Sequence, residues 1–214
     1  MLIRLRDLSS LSAEGPDGAR HRVVDLMVSR EAPDVTHVVT RLGRFLARQG
    51  CAMRIDAFAE PDLGRGIWPV DAGETEIHAA GEGGPVAFVC SVDSIPSPED
   101  VAAADGTGPL ARLSTIDERP VRGVDGTQAG RVMDAVIDTA ARRVAMLVVH
   151  SGGAGNANQR VVPVEMFDRV DWDAAEVHLR CGAEPVENAP DLHEVGARIE
   201  GHWYNRVLAY YGVG

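Results

Sequence analysis

Lysine is missing altogether: the 21 basic residues among 214 are all arginine. A guanidinium cannot form a Schiff base, carry pyridoxal phosphate or stand in for the lysine of a phosphate-binding P-loop, so those chemistries are excluded. Cysteine is scarce. Cys51, Cys90 and Cys181 are odd in number, far apart and in no CxxC spacing, which predicts reduced thiols in a cytoplasmic protein rather than a disulfide framework or a zinc site. Long apolar runs are absent too: nothing approaches the roughly 20 residues that span a bilayer, and Met1-Leu2-Ile3-Arg4-Leu5-Arg6-Asp7 lacks the apolar stretch of a signal peptide.

Positive charge is in deficit. Thirty-two acidic residues leave a formal charge of −11, the wrong sign for gripping a phosphate backbone, and no arginine run is interleaved with aromatics. Nucleic acid is therefore not an expected partner. The catalytic motifs are missing as well. No H-E-x-x-H spacing links the seven histidines and no G-x-S-x-G elbow occurs. The glycine cluster Ser151-Gly152-Gly153-Ala154-Gly155-Asn156 lies between two strand candidates, where it reads as a hairpin loop and not as a dinucleotide cradle. No cofactor or enzyme activity is implied.

What is present is a duplication. Arg22-Val23-Val24-Asp25-Leu26-Met27-Val28 aligns with Arg131-Val132-Met133-Asp134-Ala135-Val136-Ile137 at an offset of 109, and the same offset carries Val35–Val39 onto Val144–Val148. Asp17-Gly18 precedes the first copy as Asp125-Gly126 precedes the second, each at a hairpin tip. Further on two registers compete. A gapped one pairs Ile67-Trp68-Pro69-Val70-Asp71 with Val161-Val162-Pro163-Val164-Glu165 and Glu76-Ile77-His78 with Glu176-Val177-His178; a gapless one pairs Ile55-Asp56-Ala57-Phe58 with Val164-Glu165-Met166-Phe167. The gapped register is preferred because it matches the proline, and it gives the first copy extra residues around Leu42 to Gly66.

Alternation in Val23–Val28 and the β-branched run Val144–Val149 predict short strands, five or six per copy. The expected organisation is a first β unit over 1–80, a linker with one strand over 81–109, a second β unit over 110–183 and a C-terminal helix over 184–214. That helix is read from Leu192, Val195, Ile199, Trp203 and Val207 at spacings of three and four, capped by Asp191 with Glu194 behind it and stopped at Gly212.

The order of elements in each copy resembles the PRC-barrel family, named for the cytoplasmic domain of the photosynthetic reaction-centre H subunit, and the second copy fits it best. The resemblance is carried by Asp125-Gly126, Gly130-Arg131-Val132-Met133-Asp134, Arg143–Val149, Val161-Val162-Pro163-Val164 and Phe167, and the first copy departs from it at His21, where the second has Gly130. It implies a mainly β fold of two tandem small antiparallel barrels. It also implies an adaptor role, since members of the family contact partner proteins in the reaction centre and in a ribosome-maturation factor.

The candidate functional residues follow from both readings. Arg22 and Asp25, with Arg131 and Asp134, form a duplicated pair expected at strand ends. Trp203, Tyr204, Tyr210 and Tyr211 are the aromatics that would meet a protein partner or a second copy of the chain, although a terminal helix commonly covers its own domain. His78 and His178, equivalent in the gapped register, are the candidates for a metal or small-ligand groove between the copies. Asp171 and Asp173 beside Trp172 offer a shallow cation site. The expected function is a non-enzymatic scaffold acting through protein binding or self-association, with a metal or small-ligand sensor as the alternative.

Overall fold

A computed structural model of the chain describes residues 1–42, 49–78, 80, 84–151, 158–192 and 198–213. In chain order the elements are β1 (Leu2–Arg4), α1 (Leu5–Leu8), β2 (Ser12–Glu14), β3 (Arg20–Ser29), β4 (Val35–Leu42), β5 (Gln49–Arg54), β6 (Ile67–Pro69), α2 (Glu74–His78), β7 (Val86–Val92), α3 (Pro98–Asp105), β8 (Leu110–Arg112), β9 (Pro120–Arg122), β10 (Gln128–Asp138), β11 (Arg143–Ser151), β12 (Asn158–Pro163), β13 (Phe167–Asp171), β14 (Glu176–Leu179), α4 (Ala183–Glu187), β15 (Arg198–Ile199) and α5 (Gly201–Tyr211). No helix among the described residues is long and apolar enough to cross a membrane.

The strands divide into two sheets and the chain into two compact units, which do not follow the sequential boundaries expected from the sequence. One unit, here the N-terminal unit, is Asp7–Ser114; the other, the C-terminal unit, joins Met1–Arg6 to Thr115–Gly214. The sheet of the N-terminal unit runs β6-β2-β3-β4-β5-β7, with β8 also on β3. That of the C-terminal unit runs β12-β11-β10-β9-β14-β13, with β1 on β10 and β15 on β1.

Corresponding strands occupy corresponding places. The two long strands β3 and β10 each pair with their hairpin partner along one edge, and both ladders carry the same irregularities: Val24 and Met133 are unpaired bulge residues, and so are Thr36 and Ala145 on the facing strands. Extra residues of this kind bend a strand and aim its side chains, and their recurrence at an offset of 109 shows that the copies share backbone detail as well as sequence. Both hairpin tips form as expected. Gly18 and Gly126 take left-handed φ of 78° and 80°, while Asp17 and Asp125 accept from the amides of Ala19 and Thr127 at 3.0 Å. The second copy has one more residue in this arm. Ala129 is accommodated in a bulge beside Gly130, which takes φ 157° against the His150 carbonyl.

Beyond the central strands the gapless register is the one the fold uses. Ile55–Ala57 and Val164–Met166 are matching 3-10 turns, closed by Phe58 N–H to Ile55 O and by Phe167 N–H to Val164 O. Phe58 bridges Val70 as Phe167 pairs with Leu179, and β6 runs parallel to β2 as β14 runs parallel to β9. The prolines misled the gapped alignment because Pro69 and Pro163 both end strands, but different ones. In the true register Pro69 corresponds to His178 and His78 to Glu187.

Three other expectations are corrected. Neither sheet closes into a barrel: among the described residues no ladder joins β6 to β7 or β12 to β13. In the N-terminal unit the outer edge of β5 is taken by β7, and in the C-terminal unit the outer edge of β12 carries one bridge, Arg160 to Asp191. The expected linker is part of the fold. Besides β7 it contains α3, whose Ser97 hydroxyl accepts from Asp100 N–H and whose Val101 is buried in the core. Finally, the C-terminal helix starts at Gly201, not at Asp191, because Ile199 pairs with Leu2 as part of β15 and so satisfies the free edge of β1. It stops at Gly212 in the left-handed region, as read from the sequence. The Glu194 and Val195 positions and Gly152–Asn156 lie outside the described residues.

The two cores use equivalent positions. Met27, Val39 and Ala52 fill the N-terminal unit where Val136, Val148 and Val161 fill the C-terminal one, and each cluster includes a leucine from the other half of the sequence, Leu110 in the first and Leu2 in the second. The covering elements differ. Val101 of α3 and Ala87 of β7 close the first core, Trp203 and Val207 of α5 the second.

Candidate functional site

The feature that sets this chain apart is where its copies begin. β8 opens the second copy yet pairs with β3 of the first, Met27 to Arg112, Val28 to Ala111 and Ser29 to Leu110. β1 opens the first copy yet pairs with β10 of the second, Leu2 to Asp138, Ile3 to Ile137 and Arg4 to Val136. Each unit is thus completed by a strand belonging to the opposite half of the sequence.

The two seats are built alike. The sequences seated are Leu2-Ile3-Arg4-Leu5 and Leu110-Ala111-Arg112-Leu113. Leucine enters the core, the next residue is buried on the ladder, and arginine follows. The residue two places after the arginine then meets the duplicated aspartate. Ser114 donates its amide to Asp25 Oδ1 at 3.2 Å and its hydroxyl to Oδ2. Arg6 donates its amide to Asp134 Oδ1 at 3.3 Å and brings its guanidinium to 3.4 Å from Oδ2. Both aspartates also accept from the following amide of their own strand, Leu26 at 2.8 Å and Ala135 at 2.9 Å. Burial raises the Asp25 carboxyl above its usual range against these hydrogen bonds, which hold it down.

Both aspartates of the duplicated pairs thus meet a strand from the opposite half of the sequence, while Arg131 donates to the Glu118 carbonyl at 2.9 Å. The aspartate is the half of the motif that meets the strand from the opposite half of the sequence.

The two candidate histidines belong to different units. His78 closes α2 in one unit, whereas His178 lies on β14 in the other, with Nε2 3.3 Å from an Arg169 nitrogen and 3.6 Å from Glu176 Oε2. Glu176 in turn accepts from Arg122 at 2.9 and 3.1 Å, and that hydrogen bonding holds its carboxyl below the ordinary range. Asp171 Oδ1 accepts the Ala174 amide at 2.8 Å, which closes the turn and lowers its pKa. No group of three or more His, Cys, Asp and Glu able to hold a metal occurs among the described residues.

The aromatics serve their own unit. Trp203 is 3% exposed in the core, and the Tyr211 phenol donates to Val161 O at 3.0 Å. Tyr204 packs on the same core. Tyr210 is the exposed one; it stacks edge-on to Tyr211, donates to Pro185 O at 2.9 Å, and borders a shallow hollow of about 390 Å³ that includes Arg160 and Arg206. Arg160 is engaged there with Ala189 O at 2.7 Å and Asp191 at 3.9 Å.

One cluster gave no sequence signal. His37, 1% exposed on β4, places Nε2 2.9 Å from Asp105 Oδ2 at the end of α3, and Arg54 of β5 pairs with the other oxygen of the same carboxylate. Burial lowers the His37 pKa against the opposing pull of Asp105. The equivalent of His37 in the other unit is Met146, an ordinary core residue, so the polar cluster belongs to the N-terminal unit alone. Its members lie 68 and 51 residues apart, beyond any local spacing rule.

Comparison with known proteins adds one match. A PRC-barrel domain family model matches residues 110–178, which run from β8 into β14. No curated protein matches the chain. The matched stretch begins with the strand that completes the opposite unit, so the segment similar to that family and the compact unit are different pieces of the chain.

Proposed function

We propose that this chain is a non-enzymatic scaffold, built from two PRC-barrel-like copies, that acts by binding protein, either a partner or itself. The observation that carries the reading is the pair of strand seats: both units recruit an extended segment from elsewhere in the sequence onto an open edge and fix it with a buried aspartate. Recognition of an extended segment by a sheet edge is an established mode of protein binding, with backbone hydrogen bonds supplying affinity and alternate side chains specificity. The gapless offset of 109 through both ladders supports extending the PRC-like description to the first copy. The polar side chains described above are spent on structural pairs, which supports a binding role over catalysis.

The test is light scattering on the purified full chain, together with its use as bait in native lysate. A mass above that of one chain, or a protein retained specifically by the folded bait, is the expected result. A monomer at every concentration that retains nothing overturns the reading.

A further inference from the structure

The two seats accept the same kind of segment. Each takes a leucine into the core, a buried residue on the ladder, an arginine, a second leucine, and then a backbone amide that reaches the aspartate. The seats themselves correspond residue for residue: Val28 and Ile137 face the middle of the incoming strand, Met27 and Val136 line the core beneath it, and Asp25 and Asp134 lock it. The segments of known fit are the chain's own, Leu2–Arg6 and Leu110–Ser114.

We infer that these seats are interchangeable between chains, so that a second copy of this protein assembles with the first by trading strands at the β10 and β3 edges. The inference rests on the proposed binding role and names its partner. An exchanged pair keeps every ladder, both core leucines and both aspartate locks. It differs from the closed chain only in the connections that flank the traded strands, over residues 5–11, 106–109 and 113–119, and that is the condition under which strand exchange is an inexpensive route to a dimer. Each chain both offers and receives a strand, and when two chains do so reciprocally the assembly closes at two copies with every seat filled.

The test places a cysteine pair across each seat in the full chain, Leu2→Cys with Asp138→Cys for one and Val28→Cys with Ala111→Cys for the other, since both pairs face each other directly in the ladders. Each variant is unfolded in urea, refolded at low and at high protein concentration, and oxidised gently, with the wild-type chain as control for its native cysteines. The expected result is a disulfide-linked band of two chains that grows with concentration, accompanied by a doubled mass for refolded wild-type protein in light scattering. Disulfides confined to single chains at every concentration overturn the inference, even where the protein still retains another partner. A doubled mass without interchain disulfides in either variant also overturns it, while leaving self-association by another surface standing. Because the two pairs probe separate seats, misfolding of one variant leaves the other decisive.

Discussion

Asp25 accepts both the backbone amide and the hydroxyl of Ser114, 89 positions further along the chain, and so closes the N-terminal unit with a residue from the start of the second copy. Asp134 accepts the backbone amide of Arg6 across 128 positions and faces its guanidinium, closing the C-terminal unit with a residue from the start of the first copy. The duplicated aspartate is thus the point at which each half of the sequence holds the other.

Removing that acceptor is predicted to be costly and replacing it mild. Asp25→Ala leaves the buried Leu26 amide and the part-buried Ser114 amide without this partner, with an expected loss of about 1–3 kcal/mol in urea unfolding. Asp25→Asn keeps an oxygen for both amides and is expected to stay within about 1 kcal/mol of wild type.

The same pair of variants carries a pH signature. Burial raises the Asp25 carboxyl above 3.8 in the folded chain, so between 3.8 and the folded value the native state holds a proton that the unfolded state has released. The stability contributed by that proton is complete below 3.8 and is lost as pH rises through the folded value. Stability curves against pH are expected to show this acid-side slope in wild type and to lack it in Asp25→Asn.

His37 is expected to act with the opposite sign. Its pKa is lowered from 6.5 by burial, so its share of stability is intact above 6.5 and is lost as pH falls through the folded value, when the unfolded chain takes up the proton first. Hydrogen exchange at α3, whose last residue Asp105 meets His37, should accelerate over that interval relative to the rest of the N-terminal unit once intrinsic exchange is corrected for, and the difference should vanish in His37→Gln.

Two aromatics about two turns apart on α5 should separate cleanly. Trp203→Ala empties a core position and is expected to cost about 3–5 kcal/mol, whereas Tyr210→Ala, at an exposed site, should cost about 1 kcal/mol or less. A comparable loss in both would contradict the burial described for Trp203.

Thiol labelling offers a check that needs no mutation. Burial raises all three thiols, Cys51 to about 12, so a thiolate-specific reagent at pH 8 should modify the half-exposed Cys90 and Cys181 slowly in the native protein and reach Cys51 on unfolding.

The sequence revealed the elements more readily than their partners. The offset between Arg22 and Arg131, the glycines at both hairpin tips and the β-branched run Val144–Val149 all report local geometry, and local geometry is where residue type acts directly. Three errors share one origin. Matching Pro69 to Pro163 overrode the hydrophobic pattern of Ile55–Phe58; the proline and glycine content of 81–109 obscured the capped helix that follows its one expected strand; and Ile199 fits a helical spacing although it pairs with Leu2 in a ladder. Which strand lies beside which is decided by non-local pairing, so nothing near Leu110 announces that it belongs on β3, and nothing near His37 announces Asp105.

The exchanged strands also set an order of events on the ribosome. Leu2–Arg4 is made well before its seat, since the β10 positions it pairs with lie more than 130 residues downstream, as the 138-residue span from Met1 to Thr139 records. At a synthesis rate of about 5–20 residues per second, the nascent strand waits roughly 7–28 s before its seat exists. During that interval an apolar Leu-Ile pair is left without its edge, and on a crowded polysome the first β10 to appear within reach can belong to a neighbouring nascent chain.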